Sequence, residues 1–289
     1  MNRFRKYLAH ILYILGATLL FLYILFPSET VKDYIEYRAG SIAPGFTCYI
    51  ENLAPGIPPG LLLSNMYILS EDESLIRFDS IRLSPSWRTF LSMEPGIRLA
   101  AAAAKGDIHG TVRTRQSGDN RKLIGNIRAS SIDLQDAFAL ELFFPAQFSG
   151  TLSATARYET PVKTFDRFEG KGHATVSISG FRMDPDESIL GVLDRLAFST
   201  MEAEMTVEND RVHIDRLNLA GQQVSAHGSG TVTLRFPMEA SRINLEGTVE
   251  LHPQMLSRFR PLLPRQYQGD GRIPVRITGT LDRPRYAIR

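Results

Sequence analysis

The chain offers little from which to build a covalent scaffold or a familiar active site. It has one cysteine, Cys48, in 289 residues. That excludes an intramolecular disulfide and any Cys-rich zinc site. Charge is nearly balanced, with 33 basic and 31 acidic residues, a net +2, too mild a bias to point to nucleic acid. Long linkers, low-complexity blocks and charge tracts are absent. The phosphate-binding P-loop, HExxH and GxSxG are absent too. Gly170-Lys-Gly172 and Gly228-Ser-Gly230 each lack a third glycine and run into a strand, where a dinucleotide fingerprint needs a helix N-terminus.

The six histidines do not cluster at metal-ligand spacing. His213 and Asp215 sit two apart on an expected strand, so they share a face. A polar outer face explains them more simply than a metal pair. His109, His173, His227 and His252 stand beside turn glycines or prolines and read as surface residues. Glu71-Asp72-Glu73 reads as a solvated turn. Trp87, near Arg88 and Phe90, reads as a core tryptophan rather than a partner-facing patch. The expectation is a non-enzymatic protein without metal or cofactor.

What the chain does have is one long apolar run. Residues 8–26, LAHILYILGATLLFLYILF, carry no formal charge at neutral pH and are about long enough to cross a ~30 Å hydrocarbon core. Arg3, Arg5 and Lys6 precede the run and Glu29, Asp33 and Glu36 follow it. The positive-inside rule then puts residues 1–7 in the cytoplasm and the remainder across the membrane. A cleaved signal peptide would have a shorter apolar region and a small-residue cleavage site, whereas this run ends Leu25-Phe26-Pro27. Residues 27–40 read as a short amphipathic connecting helix, capped by Ser28 and stopped by Gly40.

From residue 41 to 289 the pattern has period two. Ile76/Phe78, Val176/Ile178, Met201/Ala203/Met205/Val207, Val212/Ile214, Leu217/Leu219, Val232/Leu234 and Ile273/Val275/Ile277 mark strands with one apolar and one polar face. Parity slips between Phe78 and Ile81 and between Ile214 and Leu217, as a bulge or short turn would cause. The alanine-rich residues 99–104 read as a strand. Glycines at 106, 125, 150, 230, 247 and 271 read as strand openers. Short helical segments are expected over residues 135–144, 185–196 and 253–263. The fold class is mainly β with a few short helices, an anchor followed by an extended antiparallel sheet.

Several stretches together resemble the type II secretion system protein N (GspN) family in its long form, whose region beyond the anchor is AsmA-like. They are the anchor with its following helix, LAPGIPPG at 53–60, MTVENDRVHIDRLNLAG at 205–221 with VSAHGSGTVTL at 224–234, and the closing ITGTLDRP at 277–284. The resemblance implies a curved, taco- or sandwich-like sheet in the periplasm of a Gram-negative cell, held at the inner membrane. It implies contact with other secretion-system subunits, or acyl chains carried in an apolar groove. Val232, Leu234, Ile243, Leu245, Ile273, Val275 and Ile277 are the groove candidates, and Arg3, Arg5 and Lys6 set topology. The expected partners are the membrane, secretion subunits and lipid, not nucleic acid.

Overall fold

The structure, a computed structural model, describes residues 2–42, 46–57, 59–70, 73–86, 95–117, 120–137, 146–162, 169–185, 196–235, 240–261 and 265–288. The apolar run lies in one helix, α1 (Asn2–Ile24). Tyr7, Ile11, Tyr13, Ile14, Leu20, Phe21, Tyr23 and Ile24 are all exposed. At 100° per residue these positions leave one side of the helix unoccupied, and Leu8, Leu12, Leu15, Leu19 and Leu22 fall on that side. Among the described residues no helix is long and apolar enough to cross a membrane. The side chains of Leu8, Leu12, Leu15, Leu19 and Leu22 are outside those described.

A second helix, α2 (Ser28–Ile42), continues through Gly40 rather than stopping there. Val31, Ile35 and Ala39, at helical spacing, are buried against the start of the sheet, and that packing carries the helix past the glycine.

The rest of the described chain is mostly one sheet. Its strands are β1 (Phe46–Gly56), β2 (Gly60–Ser70), β3 (Glu73–Pro85), β4 (Gly96–Ala103), β5 (Gly106–Ser117), β6 (Asn120–Asp133), β7 (Ala146–Pro161), β8 (Lys171–Pro185), β9 (Leu196–Glu208), β10 (Arg211–Ala220), β11 (Val224–Thr233), β12 (Arg242–Leu251), β13 (Arg272–Thr280) and β14 (Pro284–Ile288). Each strand pairs antiparallel with the next, and spatial order follows sequence order from β1 to β14. Strands make substantial contact only with sheet neighbours, β9 with β11 excepted. A second sheet does not cover the first, so the sandwich alternative is not what forms. The sheet is open, with β1 and β14 at its edges.

The residues 99–104 stretch is β4 and its turn, as a strand of small side chains requires. The two parity slips have different origins. Between Ile214 and Leu217 the register shifts against both neighbours, which is a bulge in β10. Between Phe78 and Ile81 the register is the same on either side. Instead the row Glu51, Asn65 and Asp79 drops out of the ladder in three strands together. Asn65 takes φ 50° and its Nδ2 donates to Glu51 Oε2 at 2.7 Å. The three strands therefore switch face in step.

The glycine expectation needs correcting. Gly106 opens β5 and Gly271 immediately precedes β13, but Gly125, Gly150, Gly230 and Gly247 lie inside strands. Gly150 has φ 142° where the β7–β8 register shifts. Gly247 faces Gly228 directly, and a Cβ on Gly247 would stand 2.5 Å from the His227 carbonyl oxygen. Interior glycines here permit bulges and close strand approach.

Two short helices occupy connections: α3 (Leu134–Ala137) after β6 and α4 (Pro253–Phe259) after β12. The second is shorter than its expected segment, and residues 138–145, which follow α3, lie with 186–195 and 262–264 outside the described ones. Buried apolar residues gather in three small clusters at the margins. One is Cys48, Ile50, Leu53, Leu63, Ile81 and Ala101, packed against by Val31, Ile35 and Ala39 of α2. A second is Phe198, Val224, Met255 and Phe259 around α4. The third is Ala104, Ile132 and Ala137 at α3. Among the described residues no second layer packs on the middle of the sheet.

Candidate functional site: an uncovered apolar face

Alternation assigns every strand one apolar face, and the register aligns those faces. One row runs Pro55, Leu61, Leu83, Leu99, Gly110, Ile127 and Ala156 across β1 to β7. It continues through Ala174, Met205, Ile214, Gly230, Leu245, Ile277 and Tyr286 to β14. All fourteen strands contribute, and no charged side chain interrupts the row. Flanking rows repeat the chemistry, for example Val176, Ala203 and Leu217 in β8 to β10. At spacings of about 4.8 Å per strand the face is roughly 60 Å long.

Among the described residues, helices cover only its margins. Ile97, Val112 and Ile127 near the middle are 54%, 45% and 52% exposed, and Tyr286 and Ile288 at the end are 68% and 55% exposed. Apolar area of this extent left open marks a binding surface rather than a core. Toward α4 the floor is aromatic, with Phe148, Phe181 and Phe198 stacked at centroid distances of 6.1 and 6.0 Å.

The face has one pronounced hollow, of about 120 Å³, over the Gly228–Gly247 pair. Ile214, Leu217, Leu245, Val249, Val275 and Ile277 are among its walls. Two facing residues without side chains leave a dip between β11 and β12 that their branched neighbours ring.

Of the groove candidates, Val232 pairs with Ile243, Leu245 with Ile277, and Val249 with Ile273, while Val275 stands opposite Gly247. Val232, Ile243, Leu245, Ile273, Val275 and Ile277 thus share the apolar face. Leu234 falls just beyond β11, and its N–H donates to the Asp210 carbonyl at 2.7 Å. Arg3, Arg5 and Lys6 lie in the first turns of α1.

The opposite face is polar, and over β8 to β13 its charges are matched across strands. Lys171 pairs with Glu208 at 2.7 Å, Arg216 with Glu204, Arg272 with Glu250 at 3.0 Å and Arg276 with Glu246 at 3.3 Å. The Lys171 hydrogen bond holds the Glu208 carboxyl below its ordinary pKa. His213 and Asp215 belong to this face, where Thr206 Oγ1 donates to Asp215 Oδ2 at 2.7 Å. Among the described residues no group of three or more His, Cys, Asp or Glu side chains could hold a metal ion. Cys48 is buried in the α2 cluster, and burial pushes its thiol pKa up, the signature of an inert packing residue. Trp87, Phe90 and the Glu71-Asp72 pair lie outside the described residues.

Sequence reasoning found the face in pieces and missed its continuity, because continuity is a property of register. It also missed how β1 is finished. Glu36 of α2 accepts the Ile50 N–H at 2.6 Å, giving that strand donor an acceptor. No family model matches the chain, and no curated protein or solved structure matches it either.

Proposed function

We propose that the chain is a non-enzymatic, membrane-anchored lipid carrier whose open apolar face holds acyl chains. The observation that carries this reading is the uncharged row across all fourteen strands. An open apolar surface ~60 Å long is costly in water at about 25 cal/mol per Å² unless something apolar lies on it. Acyl chains fit, because they need a continuous dry track and no directional hydrogen bonds. Helix α1 supplies the anchor in this reading: its described large apolar side chains are exposed, and such side chains are satisfied by hydrocarbon. The charge order around residues 8–26 supports an orientation with Arg3, Arg5 and Lys6 on the cytoplasmic side, and the family resemblance supports the periplasm of a bacterial inner membrane for the sheet.

The test uses the full chain reconstituted with a phospholipid bearing a photoreactive acyl chain. Cross-links should map to β10–β13 as well as to α1, and Leu245→Glu should remove those in the sheet. Cross-links confined to α1 would sink the proposal.

A second reading is favoured by the free edge of β14: a component of the type II secretion apparatus that recruits other subunits by strand addition. Affinity purification from membranes should then recover secretion subunits. Intact secretion in a deletion strain would dismiss it.

A further inference from the structure

The polar face is not uniform. Over β4 to β7 the register gathers Arg98, Arg113, Arg115, Lys122, Arg128 and Arg157 on one side of the sheet. Arg98 stands opposite Thr111, Arg113 opposite Ile124, Arg115 opposite Lys122, and Asn126 between Thr111 and Arg157. Glu159 is the one carboxylate opposite these positions, and Arg157 already engages it at 2.7 Å. Among the described residues, Arg98, Arg113, Arg115, Lys122 and Arg128 make no ion pair, and the Arg113 Nε is buried with no hydrogen-bond partner. Ile124, only 1% exposed, lies on this polar face, with Arg113 and Glu159 opposite it in the flanking strands.

We infer that this basic field is a docking surface for an anionic bilayer. Cations that outnumber their counter-charge, here Glu159 alone among the described residues opposite them, repel one another, and a surface of fixed negative charge relieves that. Several features select the partner. Arg98, Arg115, Lys122, Arg128 and Arg157 are exposed. Thr111, Asn126 and Thr155 lie among them as hydrogen-bonding groups for phosphate. Among the described residues no Phe, Tyr or Trp ring stands opposite these positions; the only rings there are the imidazoles of His109 opposite Arg128 and His173 opposite Arg157. The reading of α1 as an anchor adds that a bilayer is the nearest polyanion. The inference rests on the lipid-carrier reading only for that proximity, and its test does not involve the apolar face.

The experiment places the full chain in phosphatidylcholine liposomes and offers dye-loaded vesicles in trans. These are made of phosphatidylcholine alone or of phosphatidylcholine with phosphatidylglycerol, and capture is read by co-sedimentation. Capture of the anionic vesicles alone, weakening steeply with salt, is expected. Each basic residue near such a surface contributes about fivefold in affinity. The triple variant Arg98→Glu/Arg115→Glu/Lys122→Glu should therefore lose roughly a hundredfold or more. Arg182→Glu/Arg211→Glu/Arg242→Glu, with the same change in net charge elsewhere, should behave as wild type. If the first variant misfolds by circular dichroism, the three glutamine replacements at the same positions serve instead. Equal capture of neutral vesicles, equal loss in both triple variants, or full capture by the patch variant overturns the inference. So does tighter binding of soluble polyglutamate, which would make an acidic protein the better occupant.

Discussion

The two ends of the sheet are built on different principles. At the β1 end, α2 packs on the apolar face, buries Cys48 and Ile50, and uses Glu36 to accept a strand N–H. At the β14 end the last described strand is five residues long, and Tyr286 and Ile288 stand exposed. The covered end has the stability of a conventional core. The uncovered end leaves the apolar face open at its margin. Stability and access are thus assigned to opposite ends of one continuous surface.

This contrast can be broken by substitution. Ile50→Ala removes a fully buried side chain and should cost about 2–5 kcal/mol, read as a lowered denaturation midpoint at unchanged slope. Ile288→Ala should stay within about 0.5 kcal/mol of wild type. Equal losses would mean the ends are not distinct. Glu36→Ala leaves the Ile50 N–H without its acceptor and should cost about 1–3 kcal/mol in the same measurement, with hydrogen exchange at Ile50 accelerated. Ile288→Lys places a charge at the open margin. Its melting temperature should barely change while any concentration-dependent association seen by sedimentation weakens.

The smallest effect is expected from pH. The Glu208 carboxyl is lowered by its hydrogen bond from Lys171, and Glu159 by that from Arg157, both from an ordinary value of 4.5. Groups depressed on folding contribute stability that is present above the ordinary value and lost as pH falls through the lowered one. The melting temperature should thus be flat near neutrality and decline only below about pH 4.5. Lys171→Met should flatten part of that decline. Both carboxylates are largely exposed, so solvent screening keeps the slope shallow.

Much of the architecture was legible in the sequence, because alternation of period two survives wherever one face is apolar. The Met201, Ala203, Met205 and Val207 series is an example, and it lies in β9 as one uninterrupted pattern. The helix spacing of Val31 and Ile35 was equally clear. What was hidden depends on partners distant in sequence. Asn65 has no meaning as a face switch until Glu51 and Asp79 are its neighbours. Gly228 and Gly247 form a hollow only when paired. Arg98, Arg115 and Arg157 look like scattered surface charges until three strands bring them together. Ile124 breaks the alternation of β6, lying buried on the polar face opposite Arg113 and Glu159.

The consecutive strand order carries a consequence for how the molecule is made. Every ladder joins neighbours in sequence, so loop-closure entropy is small at each step. Each strand, once made, finds its docking edge already formed by the one before it. The sheet can therefore grow outward from α2 during synthesis, without waiting for the C-terminus. The same logic makes its length adjustable: inserting or deleting one hairpin changes the track by about 10 Å while preserving the alternation and the face of all other strands.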